Sequence, residues 1–439
     1  MKLTISTCFK AIILACFILA FILPSSLVTP VTPKQNTSNT GRSIILMIGD
    51  GMGAEHVKLA RWVEKGKEGQ LNMETLPKWL NVTTHNADGG ITDSAAAGTA
   101  MATGNKTNNG AIGKDSSGKD LENIIEIAGK REKSAGAITT VSVTHATPAS
   151  FIAHVQNRYD ESGIVKQITE DVNISVLMGG GRNAFDSIDL AKIRTLKNFT
   201  IVENRTELDG IQTGKILGLF AEIDFPEEKD RDRETIPSLA EMTAKSLKLL
   251  SQDPHGFFLM IEGGQIDFGA HRNDKAYTVL ETIEFDKAVS VAAAYAREHP
   301  EVLLIVTADH ETGGLKVGSD TLESIPPVFD GTDEENELLR IERVNNITVS
   351  WTSGSHTPAM VPFFGIGEPL ESYTNYTTID NTDIFKIMKN YYTSEPEYTT
   401  TTTTTITTTS GTTSRTTLGF EFFTLITTVM LVAYGKRRK

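Results

Sequence analysis

Cysteine is nearly missing from this chain. Its 439 residues contain two, Cys8 and Cys16, and both lie in one apolar N-terminal stretch. Once that stretch is removed the chain has neither thiols nor disulfides, so its stability must come from a buried core and from bound ions. A surplus of positive charge is missing too: 42 Lys and Arg stand against 55 Asp and Glu, a net charge of −13. The terminal segments hold Lys2, Lys10, Lys436, Arg437, Arg438 and Lys439 against Glu421, and without them the remainder stands at −18. A surface of that sign argues against nucleic acid as a partner. Nor does any apolar run reach the roughly 20 residues of a comfortable membrane span.

The two runs that come nearest lie at the ends. "AIILACFILAFIL", 13 residues, follows Lys2 and Lys10 and precedes Pro24. It reads as a secretory signal peptide over residues 1–27, ahead of a disordered linker over 28–42. A lipid anchor on Cys16 is the alternative, although the apolar run continues past that residue. At the far end a threonine tract over 396–417 reads as an extended, O-glycosylated stalk. The 17-residue run "LGFEFFTLITTVMLVAY" and the basic "GKRRK" follow it. Residues 418–439 read as a membrane anchor with a cytoplasmic basic tail. They equally resemble a surface-sorting signal in which Leu418 stands in the place of a proline. Eight Asn-x-Ser/Thr sequons, beginning with Asn36, Asn81 and Asn105, agree with an exported, cell-surface protein without deciding it.

What is there, over residues 43–395, is enough apolar sequence for a sizeable core. Three short apolar runs share one pattern: "SIILMIGDGMG" ends in Asp50, "GFFLMIEGGQID" in Glu262, and "EVLLIVTADHETGG" in Asp309 and His310. Each has the length of a strand buried on both faces. Helix-like stretches, such as 236–250 and 276–297, lie between them. This alternation predicts an α/β fold, a three-layer α/β/α sandwich with a large, mostly parallel central sheet. In such sheets ligands gather beyond the carboxyl ends of the strands, where these acids sit. One such acid reads equally well as a helix cap; three, one of them beside a histidine, point to metal ligands.

Other residues extend the set. "SVTHATPA" carries His145 and Thr147, and Arg158 comes thirteen positions after His145. Arginine is suited to gripping a phosphoryl group through two hydrogen bonds. Asp267 and His271 in "IDFGAHRND" are four apart, so on a helical turn both face one ion. His356 in "WTSGSHTPAM" lies in a Gly/Ser loop where neither packing nor capping needs it. Finally, "ITDSAAAGTAMATG" puts Asp93 and Ser94 ahead of nine residues that are all Ala, Gly, Thr or Met.

Taken in order, "DGMG", "TDSAAAGTA", "THATPA", "EGGQIDFGAH", "TADHETGG" and "SGSHT" closely resemble the alkaline phosphatases, from about Ser43 to Met388. The resemblance implies a zinc-dependent phosphomonoesterase acting on small phosphate monoesters, and allows a homodimer. It puts Ser94 on the phosphorylated nucleophile, at the head of a helix whose small residues let it press close to the sheet, Arg158 on the phosphate-binding arginine and Asp93 on the residue that orients it. It implies two Zn2+ and one Mg2+. Asp267, His271 and His356 match the first zinc site, Asp50, Asp309 and His310 the second, and Asp50, Thr147 and Glu262 the magnesium site. His145 stands where some members have aspartate. Phe268 stands where lysine or histidine is common near the phosphate. Phosphodiesterases and sulfatases of the same superfamily share the sheet and metal pair, but sulfatases need a Cys/Ser-x-Pro-x-Arg context that Ser94 lacks. The remaining alternative is a catalytically silent adhesin.

Overall fold

The computed structural model describes residues 41–394, except 171–172, 323–324 and 326. The expected leader, stalk and terminal anchor, and all of the linker but its last two residues, lie outside the described residues. Among the described residues no helix is long and apolar enough to cross a membrane.

The three apolar runs form strands: β1 (Ser43–Gly49), β7 (Phe257–Gly263) and β8 (Val302–Ala308). Every residue in them is buried, because helices cover both faces of the sheet. In chain order the other strands are β2 (Lys78–Thr83), β3 (Ser134–Ser142), β4 (Val176–Gly180), β5 (Phe199–Val202) and β6 (Lys215–Leu219). After β8 come β9 (Glu311–Thr312), β10 (Lys316–Asp320), β11 (Ile347–Ser350), β12 (His356–Thr357), β13 (Val361–Ile366) and β14 (Thr378–Asp380). Ten of them form one sheet in the order β14-β2-β13-β8-β1-β7-β3-β4-β6-β5. Only β13 runs against the rest. Two small antiparallel pairs, β10 with β11 and β9 with β12, stand apart from it.

The expected helices lie at Leu239–Leu250 and Lys275–Glu298. They share one layer with the Ala54–Lys65 helix, while Ser94–Thr103, Ile124–Lys130, Ala146–Ser150 and Asn381–Thr393 gather in the other. The Ser238 side chain caps the first of them, accepting from Glu241 N while Glu241 reaches back to Ser238 N.

Register brings the ligand-bearing residues to one level. Gly49 pairs with Gly263 on one side and with Ala308 on the other. Asp50 and Asp309 therefore leave their strands together, and Glu262 stands one residue below. The chain leaves β8 at Ala308, so Asp309 and His310 are free of the strand alternation that would point neighbours apart. β12 then pairs with β9, placing His356 opposite Thr312. Both ends of the described chain meet at the opposite end of the sheet, where Arg42 donates to Tyr391 O at 2.8 Å.

Candidate active site

Ser94 opens a ten-residue helix, Ser94–Thr103, that is buried along its whole length. Asp93 caps it: one carboxylate oxygen accepts from Ala96 N at 2.9 Å, the other from Gly110 N at 2.9 Å. The main packing partners of this helix are the Ala146–Ser150 and Asn381–Thr393 helices rather than the strands of the sheet. A Cβ on Gly98 would come within 2.8 Å of Ser150 Oγ. At the other end Gly104 takes φ +75° and a Cβ there would strike Phe385.

Arg158 is held from two directions. Nη1 donates to Asp93 at 3.1 Å, and Nη2 donates to His145 Nε2 at 3.2 Å. An arginine can only donate, so His145 Nε2 accepts and the neutral ring carries its proton on Nδ1. Burial, then the Arg158 charge, lowers the His145 pKa to about 4, which keeps the ring neutral. Its Nδ1 is buried without a partner. Phe268, half-buried, stands edge-on to His145 at 6.1 Å.

Three groups of side chains could hold cations. Asp267, His271 and His356 form one; Asp50, Asp309 and His310 a second; Asp50 and Glu262, with a ring nitrogen of His145, a third, their candidate ligand atoms lying within 4.8 Å of one another in each. In the first, His271 Nε2 is 3.2 Å from Asp267 Oδ2. Its Nδ1 faces Gly354 O at 2.8 Å, and His356 Nδ1 faces Thr92 O at 2.9 Å, so both rings offer Nε2 inward. In the second, His310 Nε2 is 3.2 Å from Asp309 and 3.5 Å from Asp50. The His310 and His356 rings stack at 3.5 Å, joining the two groups.

The residues present fit cations. Both oxygens of Asp50 and Oδ2 of Asp309 are buried without a hydrogen-bond partner, and the Thr147 hydroxyl lies against the Glu262 carboxylate. Buried carboxylates left so are costly unless a cation answers them. Burial, then the neighbouring carboxylates Asp309, Asp267 and Glu262, raises the Asp50 pKa well above the usual range. Burial, against a hydrogen bond from Thr139, raises Glu262 to about 8; burial and then Asp267 raise Asp309 to about 6. Against its own burial, the hydrogen bond from His271 and the charges of the nearby histidines hold Asp267 below the carboxylate range. The hydrogen bond to Asp267 in turn raises His271 to about 9. The chemistry of the donor set, imidazole with carboxylate in two groups, suits zinc.

All twelve expected residues thus lie around one end of the sheet. Thr139 and Thr312 were missed. Thr139 Oγ1 donates to Glu262 Oε2 at 2.5 Å, and Thr312 Oγ1 to Asp267 Oδ1 at 2.5 Å. Thr312 sits in the same "TADHETGG" motif as His310, a signal that was available.

A family model described as alkaline phosphatase matches residues 41–340. Alkaline phosphatase 3 of Bacillus subtilis is 31% identical over 415 residues, covering 80% of this chain and 89% of its own. A cold-active alkaline phosphatase from a psychrophilic Shewanella, solved by crystallography, is 30% identical with a TM-score of 0.70, over 80% of this chain and 99% of that one. The enzyme from the Antarctic bacterium TAB5 is 30% identical with a TM-score of 0.67, over 81% and 98%. Fold, site and relatives define a metal-binding phosphoric monoester hydrolase. The chain belongs to the alkaline phosphatase family.

Proposed function

We propose that this enzyme is zinc-dependent and works through a phosphoserine on Ser94. The observation that carries the reading is the position of the Ser94 hydroxyl, 3.2 Å from His310 Nε2, where the ligand-bearing strand ends converge. Arg158, fixed by Asp93 and His145, keeps N–H groups in reserve for phosphate oxygens. The head of the Ser94 helix favours the same anion. Ser94 Oγ attacks phosphorus, the bond to the substrate alcohol breaks, and water then cleaves the phosphoserine, returning the hydroxyl. Asp267, His271 and His356 would hold one zinc ion and Asp50, Asp309 and His310 a second, and the pair would supply Lewis-acid stabilisation of charge on oxygen. Asp50, Thr147 and Glu262 would hold magnesium, with His145 standing beside them. A solved variant of the TAB5 enzyme in which a histidine is replaced by aspartate holds Mg in a site called M3.

Ser94→Ala tests the reading. It should lower turnover by a thousandfold or more, on the order expected for an essential nucleophile, and abolish acid-stable phosphate on the Ser94 peptide, while zinc content stays at two per chain. Near-full activity, or phosphate trapped on another residue, overturns the assignment of Ser94; a fully active enzyme without zinc overturns the metal assignment. Export and surface attachment complete the proposal. They rest on the terminal sequence patterns alone, and recovery of the activity in a cytoplasmic fraction only would refute them.

A further inference from the structure

Thr312 is fully buried and contacts both candidate zinc groups. Its hydroxyl lies 2.5 Å from Asp267 Oδ1 and 3.2 Å from His310 Nδ1. Its backbone N–H donates to Gly51 O at 3.1 Å, next to Asp50. It also pairs with His356 across the short β9–β12 ladder. One residue therefore meets the first group through Asp267 and His356, and the second through His310 and the turn after Asp50.

The hydrogen-bond directions follow from counting protons. A hydroxyl has one, and an ionised carboxylate can only accept, so Thr312 donates to Asp267. The oxygen of Thr312 then accepts from His310, which puts the His310 proton on Nδ1. This leaves the Nε2 lone pair facing Asp50, Asp309 and Ser94. Gly51, at φ +71°, keeps the space open: a Cβ there would sit 2.7 Å from Asp267 Oδ1 and 2.9 Å from Thr312 Oγ1. The other two histidines rest their Nδ1 atoms on backbone carbonyls. His310 rests on a side chain, which a mutation can remove.

We propose that Thr312 is a positioning residue that couples the two zinc groups, fixing the His310 tautomer and the Asp267 carboxylate through one relay, His310 to Thr312 to Asp267. The proposal rests on reading those groups as zinc sites. Because the relay runs one way, losing the hydroxyl removes the partner of His310 and the partner of Asp267 together. Both ions should then weaken, although neither loses a ligand.

The experiment compares Thr312→Val, which keeps the shape and removes the hydroxyl, with Thr312→Ser, which keeps the hydroxyl. The full-length enzyme is titrated with zinc against a competing chelator, and the cobalt-loaded forms are read by visible absorption. Thr312→Val should raise the dissociation constants of both ions about 10- to 100-fold, the usual loss for a residue supporting a metal ligand, and shift the cobalt bands. Thr312→Ser should return both constants and the bands to the wild-type values. The proposal is overturned by unchanged constants in Thr312→Val, by a change at one site only, or by failure of Thr312→Ser to restore binding. If Thr312→Val does not fold, Thr312→Ala takes its place under the same criteria. A wild-type enzyme that binds no zinc pair would refute the underlying zinc reading instead, and the control shows which has failed.

Discussion

The hydroxyl of Ser94 lies 3.2 Å from His310 Nε2, although 216 residues separate the two in the chain. One comes from the head of a helix, the other from just beyond the end of β8. Burial holds the His310 pKa well below its ordinary value, so the ring is neutral and its Nε2 lone pair is open. Without an ion the serine proton occupies that lone pair. Asp50, Asp309 and His310 would hold a cation on this side of the serine, and the positive charge it would supply is what makes a hydroxyl a nucleophile.

The same site gives the metal-free enzyme a pH signature. Glu262 rises to about 8 by burial, and His271 to about 9 through its hydrogen bond with Asp267. Both folded-state values lie above the unfolded ones, so both groups contribute stability that is present at lower pH and lost as pH rises through them. His145 and His310 act in the opposite sense, but only below about 6.5, where unfolded histidine titrates. Between about pH 6.5 and 9 the chelator-treated enzyme should therefore lose thermal stability as pH rises. The zinc-loaded enzyme should not, because the ions replace the protons. Melting temperatures at pH 7 and 9, with and without metal, check this; parallel curves count against it.

Arg158 owes its orientation to Asp93, which also caps the Ser94 helix. Asp93→Ala should cost about 1 kcal/mol of stability as a lost cap and raise both KM and the phosphate inhibition constant by freeing the guanidinium. Arg158→Ala should lower kcat/KM at least about tenfold, since one charged hydrogen bond is worth about 1.5–3 kcal/mol. Steady-state kinetics on a chromogenic monoester decide both. An Asp93→Ala enzyme with unchanged phosphate affinity would show that Arg158 is held without it.

Gly98 is where the Ser94 helix passes Ser150 most closely. Gly98→Ala places a methyl 2.8 Å from Ser150 Oγ and 3.0 Å from its Cβ. Overpacking of this kind costs about 1–3 kcal/mol. Adding Ser150→Ala should recover part of the loss, which urea unfolding of the single and double variants would reveal.

Phe268 stands at the position where the family resemblance implies a lysine or histidine near the phosphate. Its ring offers no hydrogen bond and meets His145 edge-on. Phe268→His should tighten inhibition by inorganic phosphate while kcat stays level or falls, because a new ground-state contact holds product as well as transition state. An unchanged inhibition constant in a folded variant means that the side chain faces only His145 and the wall of the cleft.

The sequence by itself determined the strands and their chemistry. Runs such as "SIILMIG" and "VLLIVTA" are apolar throughout because both faces are covered, and that local fact predicts a buried parallel strand. The acids at their ends were legible as candidate ligands because three recur in one chain, one of them beside His310, where a single one would read equally well as a helix cap. Tertiary structure decided everything that depends on alignment between distant segments. The pairing of Gly49 with Gly263 and Ala308 brings Asp50, Glu262 and Asp309 level, and no single segment encodes it. The small residues after Ser94 announced close packing but not its partner, since two helices and the sheet make the same demand on a side chain. The Thr312 relay and the His145 tautomer rest on which donor faces which acceptor, a property of atoms a few ångströms apart that the order of residues along the chain does not carry.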